Sequence, residues 1–172
     1  MMAPSGWVKR FAPQVRSGGE VLDLACGQGR HTHFFRQLGC PVVAVDRDTS
    51  AVAGLNGVVC LEADLEDGSP WPLAGRHFDA VIVTNYLWRP LFPKLVEAVG
   101  EGGLLLFETF ARGNGKYGRP ANPAFLLKPE ELLDMVRGEL QVVAYEHGFT
   151  RTPKPAIVQR ICAIRSQEPV QL

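Results

Sequence analysis

Five short apolar runs punctuate the chain: Val21–Ala25, Pro41–Val45, Val58–Leu61, Ala80–Val83 and Leu104–Thr109. They are nearly continuous rather than alternating, the signature of parallel strands buried on both faces. Between them the spacing turns helical. Arg30–Leu38 reads as a helix ended by Gly39 with Pro41 beyond it. Thr49–Leu55 reads as a short helix stopped by Asn56-Gly57, and Pro90–Val99 places Leu91, Phe92, Leu95, Val96 and Val99 on one face. Glu101-Gly102-Gly103 then turns into the fifth strand. Pro129–Arg137 is a further helix, with Pro at its start, Glu130 and Glu131 in its first turn and Gly138 past its end. Leu140–Glu146 and Ala156–Arg165 are two last strands joined by a Pro-rich turn. Trp7, Val8, Phe11 and Val15, interrupted by Pro13, predict a short amphipathic helix ahead of the first strand.

The stretch from Glu20 to Asp46 organises the rest. It runs strand, glycine turn (Cys26-Gly27-Gln28-Gly29), helix, strand, acid, the layout of a nucleotide-binding βαβ unit. Glycines at the turn let a ligand approach the backbone without meeting a Cβ atom. The helix N-terminus offers unpaired N–H groups. Asp46, about twenty residues past the glycines, is placed to accept from both ribose hydroxyls. The dinucleotide spacing G-x-G-x-x-G fails, because bulky Arg30 holds the last place. The segment Asp23-Leu24-Ala25-Cys26-Gly27-Gln28-Gly29 instead fits acid-x-G-x-G-x-G with Ala25 at the first glycine. That substitution requires only that residue 25 keep an ordinary strand-end conformation.

In this form the turn resembles the first motif of the class I S-adenosylmethionine-dependent methyltransferases. LDLACGQGRH, AVDRD, NYLWRPLFP, LLLFETF and GRPANPAFLL further resemble a small bacterial subfamily related to the tellurite-resistance methyltransferases. The resemblance implies a Rossmann-like α/β fold: a seven-stranded sheet of order 3-2-1-4-5-7-6, last strand antiparallel, with helices on both faces. It implies S-adenosylmethionine as cofactor and S-adenosylhomocysteine as product. Carried onto this chain, the cofactor positions are Asp23, Ala25, Cys26, Gly27, Gly29, Arg30, His31, Asp46, Arg47, Asp64, Leu65, Asn85 and Tyr86. Asp64 would accept from the adenine amino group, and Thr84 to Arg89 would lie beside the reactive methyl. Tyr86, Arg89, Arg112 and Arg119 are the candidates for positioning an acceptor, since guanidinium forks suit oxyanions. Trp88 stands where a smaller polar residue or His is expected. Such leading segments often close over the cofactor, which makes Trp7 and Arg10 secondary candidates.

Composition narrows the acceptor. The chain of 172 residues has the length of one domain, 1–172, and carries 18 Lys plus Arg against 18 Asp plus Glu. A neutral chain lacks the basic footprint of a nucleic-acid binder, so the expected partner is a small-molecule thiol, oxyanion or related nucleophile. The other readings are an RNA or protein methyltransferase working with a partner, and a cofactor-binding module without catalysis. No apolar run approaches the ~20 residues of a membrane span, and the N-terminus has no apolar signal core; a cytoplasmic protein is expected.

Cys26, Cys40, Cys60 and Cys162 form no C-x-x-C pair and read as small buried thiols. His31 and His33, two apart on a helix, point away from each other, and no third ligand is spaced for a metal site. His31, just past the glycine turn, suits a cofactor contact better. Residues 111–127 are the one long irregular stretch, with Arg112, Lys116, Tyr117, Arg119 and Asn122; a loop of this length starting at the active edge reads as a substrate lid. Ser166 to Leu172 read as a frayed tail.

Overall fold

The computed structural model describes residues 3–169; Met1, Met2 and residues 170–172, the end of the expected tail, lie outside the described residues. Its strands are β1 (Val21–Leu24), β2 (Val42–Asp46), β3 (Val58–Glu62), β4 (Phe78–Thr84), β5 (Val99–Phe110), β6 (Gln141–Thr150) and β7 (Ala156–Ile164). They form one sheet in the order β3-β2-β1-β4-β5-β7-β6. β7 runs antiparallel to both of its neighbours, and the pairs from β3 to β5 are parallel. The expected order and the antiparallel last strand are both present. The helices are α1 (Gly6–Phe11), α2 (Arg30–Gln37), α3 (Phe92–Glu97) and α4 (Glu131–Val136). No helix among the described residues is long and apolar enough to cross a membrane.

Alternate strand residues serve opposite faces, as the pleat dictates. Leu22, Leu24, Val43, Val45, Val81, Val83, Leu105 and Phe107 pack under Leu95, Val96, Leu132 and Val136 of α3 and α4. Val21, Val42, Ala80, Ile82, Leu104 and Leu106 pack under Trp7, Val8 and Phe11 of α1 and Phe35 of α2. Each large side chain so buried contributes roughly 1.5–3 kcal/mol. This is why the central strands are apolar throughout.

The elements depart from expectation where local polar chemistry intervenes. The helix read over Thr49–Leu55 is one turn, Ser50–Val52. Asp48 Oδ1 accepts from the Ser50 amide at 2.9 Å, and Gly54 and Gly57 adopt left-handed φ of +76° and +74°. The helix read over Pro90–Val99 divides into a turn, Arg89–Leu91, and α3, while Val99 pairs with Phe78 at the start of β5. Glu101-Gly102-Gly103 is a bulge in that strand rather than a turn ahead of it. A Cβ on Gly103 would lie 2.6 Å from the Phe78 carbonyl oxygen, so only glycine lets the two backbones approach. α4 starts two residues late because Glu130 is left-handed (φ +62°) and Glu131 Oε2 accepts from the Lys128 amide at 2.7 Å. α1 begins at Ser5, whose hydroxyl accepts from the Trp7 amide at 3.0 Å.

Candidate functional site

The strand ends bring the sequence-named residues together along the carboxyl edge of β1 to β4, where open parallel sheets hold their ligands. The turn after β1 closes by the Cys26 amide donating to the Val45 carbonyl (3.1 Å) and the Gly29 amide to the Cys26 carbonyl (2.9 Å). Its two glycines do different work. Gly27 (φ +52°) has no atom within 4 Å of where a Cβ would stand, and its amide donates to Asp46 Oδ2 at 2.9 Å. It leaves an open cradle beside the acid. Gly29 (φ +71°) is buried, and a Cβ there would sit 2.0 Å from Val52 Cγ1, so it lets the turn pack.

Ala25 corrects the sequence reading. It is left-handed, φ +51°, instead of keeping a strand-end conformation. The chain must leave the line of β1 abruptly to set the Cys26 amide on Val45, and residue 25 takes the reversal. For a residue with a Cβ this costs roughly 1–2 kcal/mol. Asn85 (φ +56°), at the matching position after β4, is left-handed too, with its amide on the Glu108 carbonyl at 2.9 Å.

Three of the named residues lie beneath the edge rather than on it. Asp23 is 2% exposed and accepts from Thr32 Oγ1 at 2.6 Å, tying β1 to α2. Burial pushes its carboxyl up to about 6, against the hydrogen bond from Thr32 and the charge of Arg30. Cys26 is buried, and burial together with the Asp23 and Asp46 charges pushes its thiol up to about 12. His31 was expected at the cofactor; instead Nε2 accepts from the Ser5 amide at 3.1 Å, and Nδ1 lies 3.5 Å from Thr84 Oγ1. Burial lowers its pKa to about 3, so the ring is neutral and its Nε2 lone pair is spent on α1.

On the edge itself stand Asp46, Arg47, Asp64, Leu65, Asn85 and Tyr86. Asp64 Oδ1 accepts from the Glu66 amide at 2.9 Å, which fixes its loop. The Tyr86 hydroxyl is buried and makes no hydrogen bond. Burial, then the charges of Glu66 and Asp64, push it above the ordinary phenol value. Arg30 reaches across from α2 to Thr84 Oγ1 at 3.2 Å.

The acceptor arginines separate. Arg89 is a strut. Its Nε and Nη2 bind the Glu131 carboxylate at 2.5 and 3.0 Å, and its Nη1 and Nη2 donate to the Ala124 and Leu126 carbonyls at 2.7 and 3.0 Å. Most of its donors are thus turned to Glu131 and to the 111–127 stretch. Arg112 and Arg119 are exposed. Trp7 Nε1 donates to the Ile161 carbonyl (3.0 Å) and Arg10 pairs with Glu146 (3.2 Å), so both fasten α1 to the β6–β7 hairpin.

Sequence reasoning missed Ser5, Thr32 and Arg160. Ser5 Oγ donates to Glu108 Oε1 at 2.8 Å, while Arg160 pairs with Glu108 (2.5 Å) and Glu146 (3.2 Å). Ser5 carried a readable signal, a capping residue just ahead of a helical pattern; Arg160 carried none. Among the described residues no group of three His, Cys, Asp or Glu side chains could hold a metal ion. A groove of about 920 Å³ lies at the opposite edge between α3 and α4, with Phe92, Val96 and Met135 in its walls, and contains none of the named site residues.

A family profile described as a methyltransferase domain matches residues 3–152. Among solved structures, TehB from Haemophilus influenzae superposes with a TM-score of 0.75 at 20% identity, over 96% of this chain and 63% of that one. The chain therefore spans about three fifths of the length of TehB. A TehB-like SAM-dependent methyltransferase from Corynebacterium glutamicum has a TM-score of 0.62 at 17% identity, over 92% and 86% of the two chains. The glycopeptide N-methyltransferase MtfA, complexed with S-adenosyl-L-homocysteine, has 0.64 at 18%, over 95% and 90%. A comparison with curated proteins finds no match. At these identities the structures speak for the fold, and the profile for the family: the chain belongs to the methyltransferase-domain family, with the class I, Rossmann-like methyltransferase fold.

Proposed function

We propose that the chain transfers the methyl group of S-adenosylmethionine to a small-molecule nucleophile, such as a thiol or an oxyanion, chiefly by positioning. The residues fit that cofactor. Gly27 leaves open space where a Cβ would stand, and the partly exposed Asp46 lies beside it, bound to its amide. Asp46 would hold the ribose hydroxyls, Asp64 and the Leu65 backbone the adenine, and Asn85 and Tyr86 would flank the methionine part. When bound, the sulfonium supplies an electrophilic methyl carbon, whose C–S bond breaks toward sulfur as the acceptor's lone pair forms the new bond.

One observation carries the mechanism. Of the shifted groups at or beneath the edge, only Asp23, raised to about 6, titrates near neutral pH, and it is 2% exposed with its Oδ2 bound to Thr32. Cys26 is pushed up to about 12, Tyr86 is raised, and His31 is held at about 3 with its lone pair occupied. On this reading the acceptor arrives already nucleophilic. Alignment and desolvation, which can supply roughly 7–11 kcal/mol, carry the rate. The test is a mass-spectrometric screen of thiols, oxyanions, amines and RNA or protein acceptors with S-adenosylmethionine. Methylated product from a small thiol or oxyanion is expected. Product from RNA or protein alone would contradict the reading.

A further inference from the structure

The net charge of zero hides a segregation. Between Glu108 and Glu130 the chain has no acid and four bases, and between Glu146 and Glu168 again no acid and four bases. The fold lays these two segments against each other. The Ala111 amide donates to the Ile157 carbonyl at 2.9 Å, and the Ile157 amide to Asn114 Oδ1 at 3.1 Å. The Tyr117 and Phe149 rings lie 4.9 Å apart, both about half exposed. Lys154 Nζ stands 5.7 Å from the centre of the Phe110 ring, at the carboxyl end of β5.

Because β7 is antiparallel, the turn joining it to β6 comes out at the same edge as the end of β5. That turn carries Arg151 and Lys154; the 111–127 stretch beside it carries Arg112, Lys116 and Arg119. All five are exposed, and among the described residues none of them pairs with a carboxylate. The nearby Glu108 and Glu146 cannot neutralise them, being held by Arg160 and Arg10.

Resting on the methyltransferase reading above, we infer that the β6–β7 turn and the 111–119 segment form the acceptor's recognition subsite. Its ligand is an aromatic or otherwise apolar small molecule bearing a phosphate or carboxylate. The anion is taken by Arg151, Lys154 and the loop arginines, and the body by the Tyr117–Phe149 surface. Unpaired cations and exposed aromatic rings on the same neighbouring segments suit that combination. Exposed guanidinium and ammonium groups bind anions without the desolvation penalty of buried ones, and the rings supply flat apolar area.

The test titrates the full chain, saturated with S-adenosylhomocysteine, with phenyl phosphate, benzoate and benzyl alcohol, followed by amide NMR shifts. The two anions should bind at least about tenfold more tightly than the alcohol, shifting Gly113, Gly115 and Gly148, with affinity falling as salt rises. Arg151→Gln/Lys154→Gln should weaken phenyl phosphate about fivefold or more and leave the S-adenosylhomocysteine affinity unchanged. Arg112→Gln/Arg119→Gln provides the same check from the loop side. Equal affinity for anion and alcohol, shifts confined elsewhere, or unaffected double variants would overturn the inference. Failure to bind S-adenosylhomocysteine would contradict the cofactor reading instead.

Discussion

The sheet has two halves that are held together differently. From β1 to β4 the chain is organised by local rules: continuous apolar strands, glycine turns, and carboxylates that fold their own loops from two residues away, as Asp48 does for Ser50, Asp64 for Glu66 and Asp67 for Ser69. From β5 onward, buried polar side chains join distant segments. Asn114, 1% exposed, bonds the Pro120 carbonyl and the Ile157 amide; Gln159, fully buried, bonds the Leu132 amide and the Lys128 carbonyl. Arg89 spans the boundary from the end of β4 to Glu131. The half that would hold the cofactor is rich in short-range patterns, with long-range ties such as Ser5–His31 and Arg30–Thr84 added to them, and the half proposed to face the acceptor relies on long-range ones.

The largest expected effect comes from the first half. Gly29→Ala adds a Cβ 2.0 Å from Val52 Cγ1 at a left-handed φ and should cost about 2–4 kcal/mol in denaturant unfolding. Gly148→Ala in β6 meets nothing within 4 Å and should change stability by less than about 0.5 kcal/mol. In the second half Asn114→Ala should cost about 2–3 kcal/mol by stranding the Ile157 amide and the Pro120 carbonyl. Hydrogen exchange should rise in residues 111–127 and not in β1 or β2. Uniform loss of protection across the sheet would erase the distinction between the halves.

A third effect runs through pH. His31 titrates near 3 when folded against about 6.5 unfolded, so the unfolded chain binds the extra proton between those values. Its stabilisation is complete above pH 6.5 and is lost as pH falls. Asp23 works in the opposite direction: raised to about 6, it favours the fold below pH 4 and loses that contribution as pH rises to 6. The stability difference between wild type and His31→Gln isolates the first effect. It should shrink by about 2 kcal/mol from pH 6.5 to 5; a flat difference would mean that His31 is not held neutral. A smaller effect of opposite sign is expected from Ala25→Gly, which relieves the left-handed strain and should stabilise by about 1 kcal/mol.

This division sets what was legible in the sequence. Val21–Ala25, the glycine turn and Asp46 were readable because apolar runs, glycines and strand-end acids act within a few residues. The same logic placed all seven strands, while their order was what the family resemblance implied. It failed at Ala25, whose backbone reverses so that the Cys26 amide can reach the Val45 carbonyl on the next strand. It did not show the pairing of Arg89, whose guanidinium suits an oxyanion as well as it suits Glu131, 42 residues away. The bond of His31 to Ser5 was hidden for the same reason, since Ser5 lies 26 residues earlier. The 111–127 stretch read as an irregular loop because its order comes from Asn114, Arg89 and an Ala111–Leu127 bridge, none of which leaves a periodic trace.

The central claim is that the carboxyl edge beside Gly27 and Asp46 binds the adenosyl group. Calorimetric titration of wild type and Asp46→Ala with S-adenosylhomocysteine tests it most directly. Micromolar-range binding, weakened at least about tenfold in the variant, is the expected result. Folded wild-type protein that binds no S-adenosylhomocysteine would contradict the account.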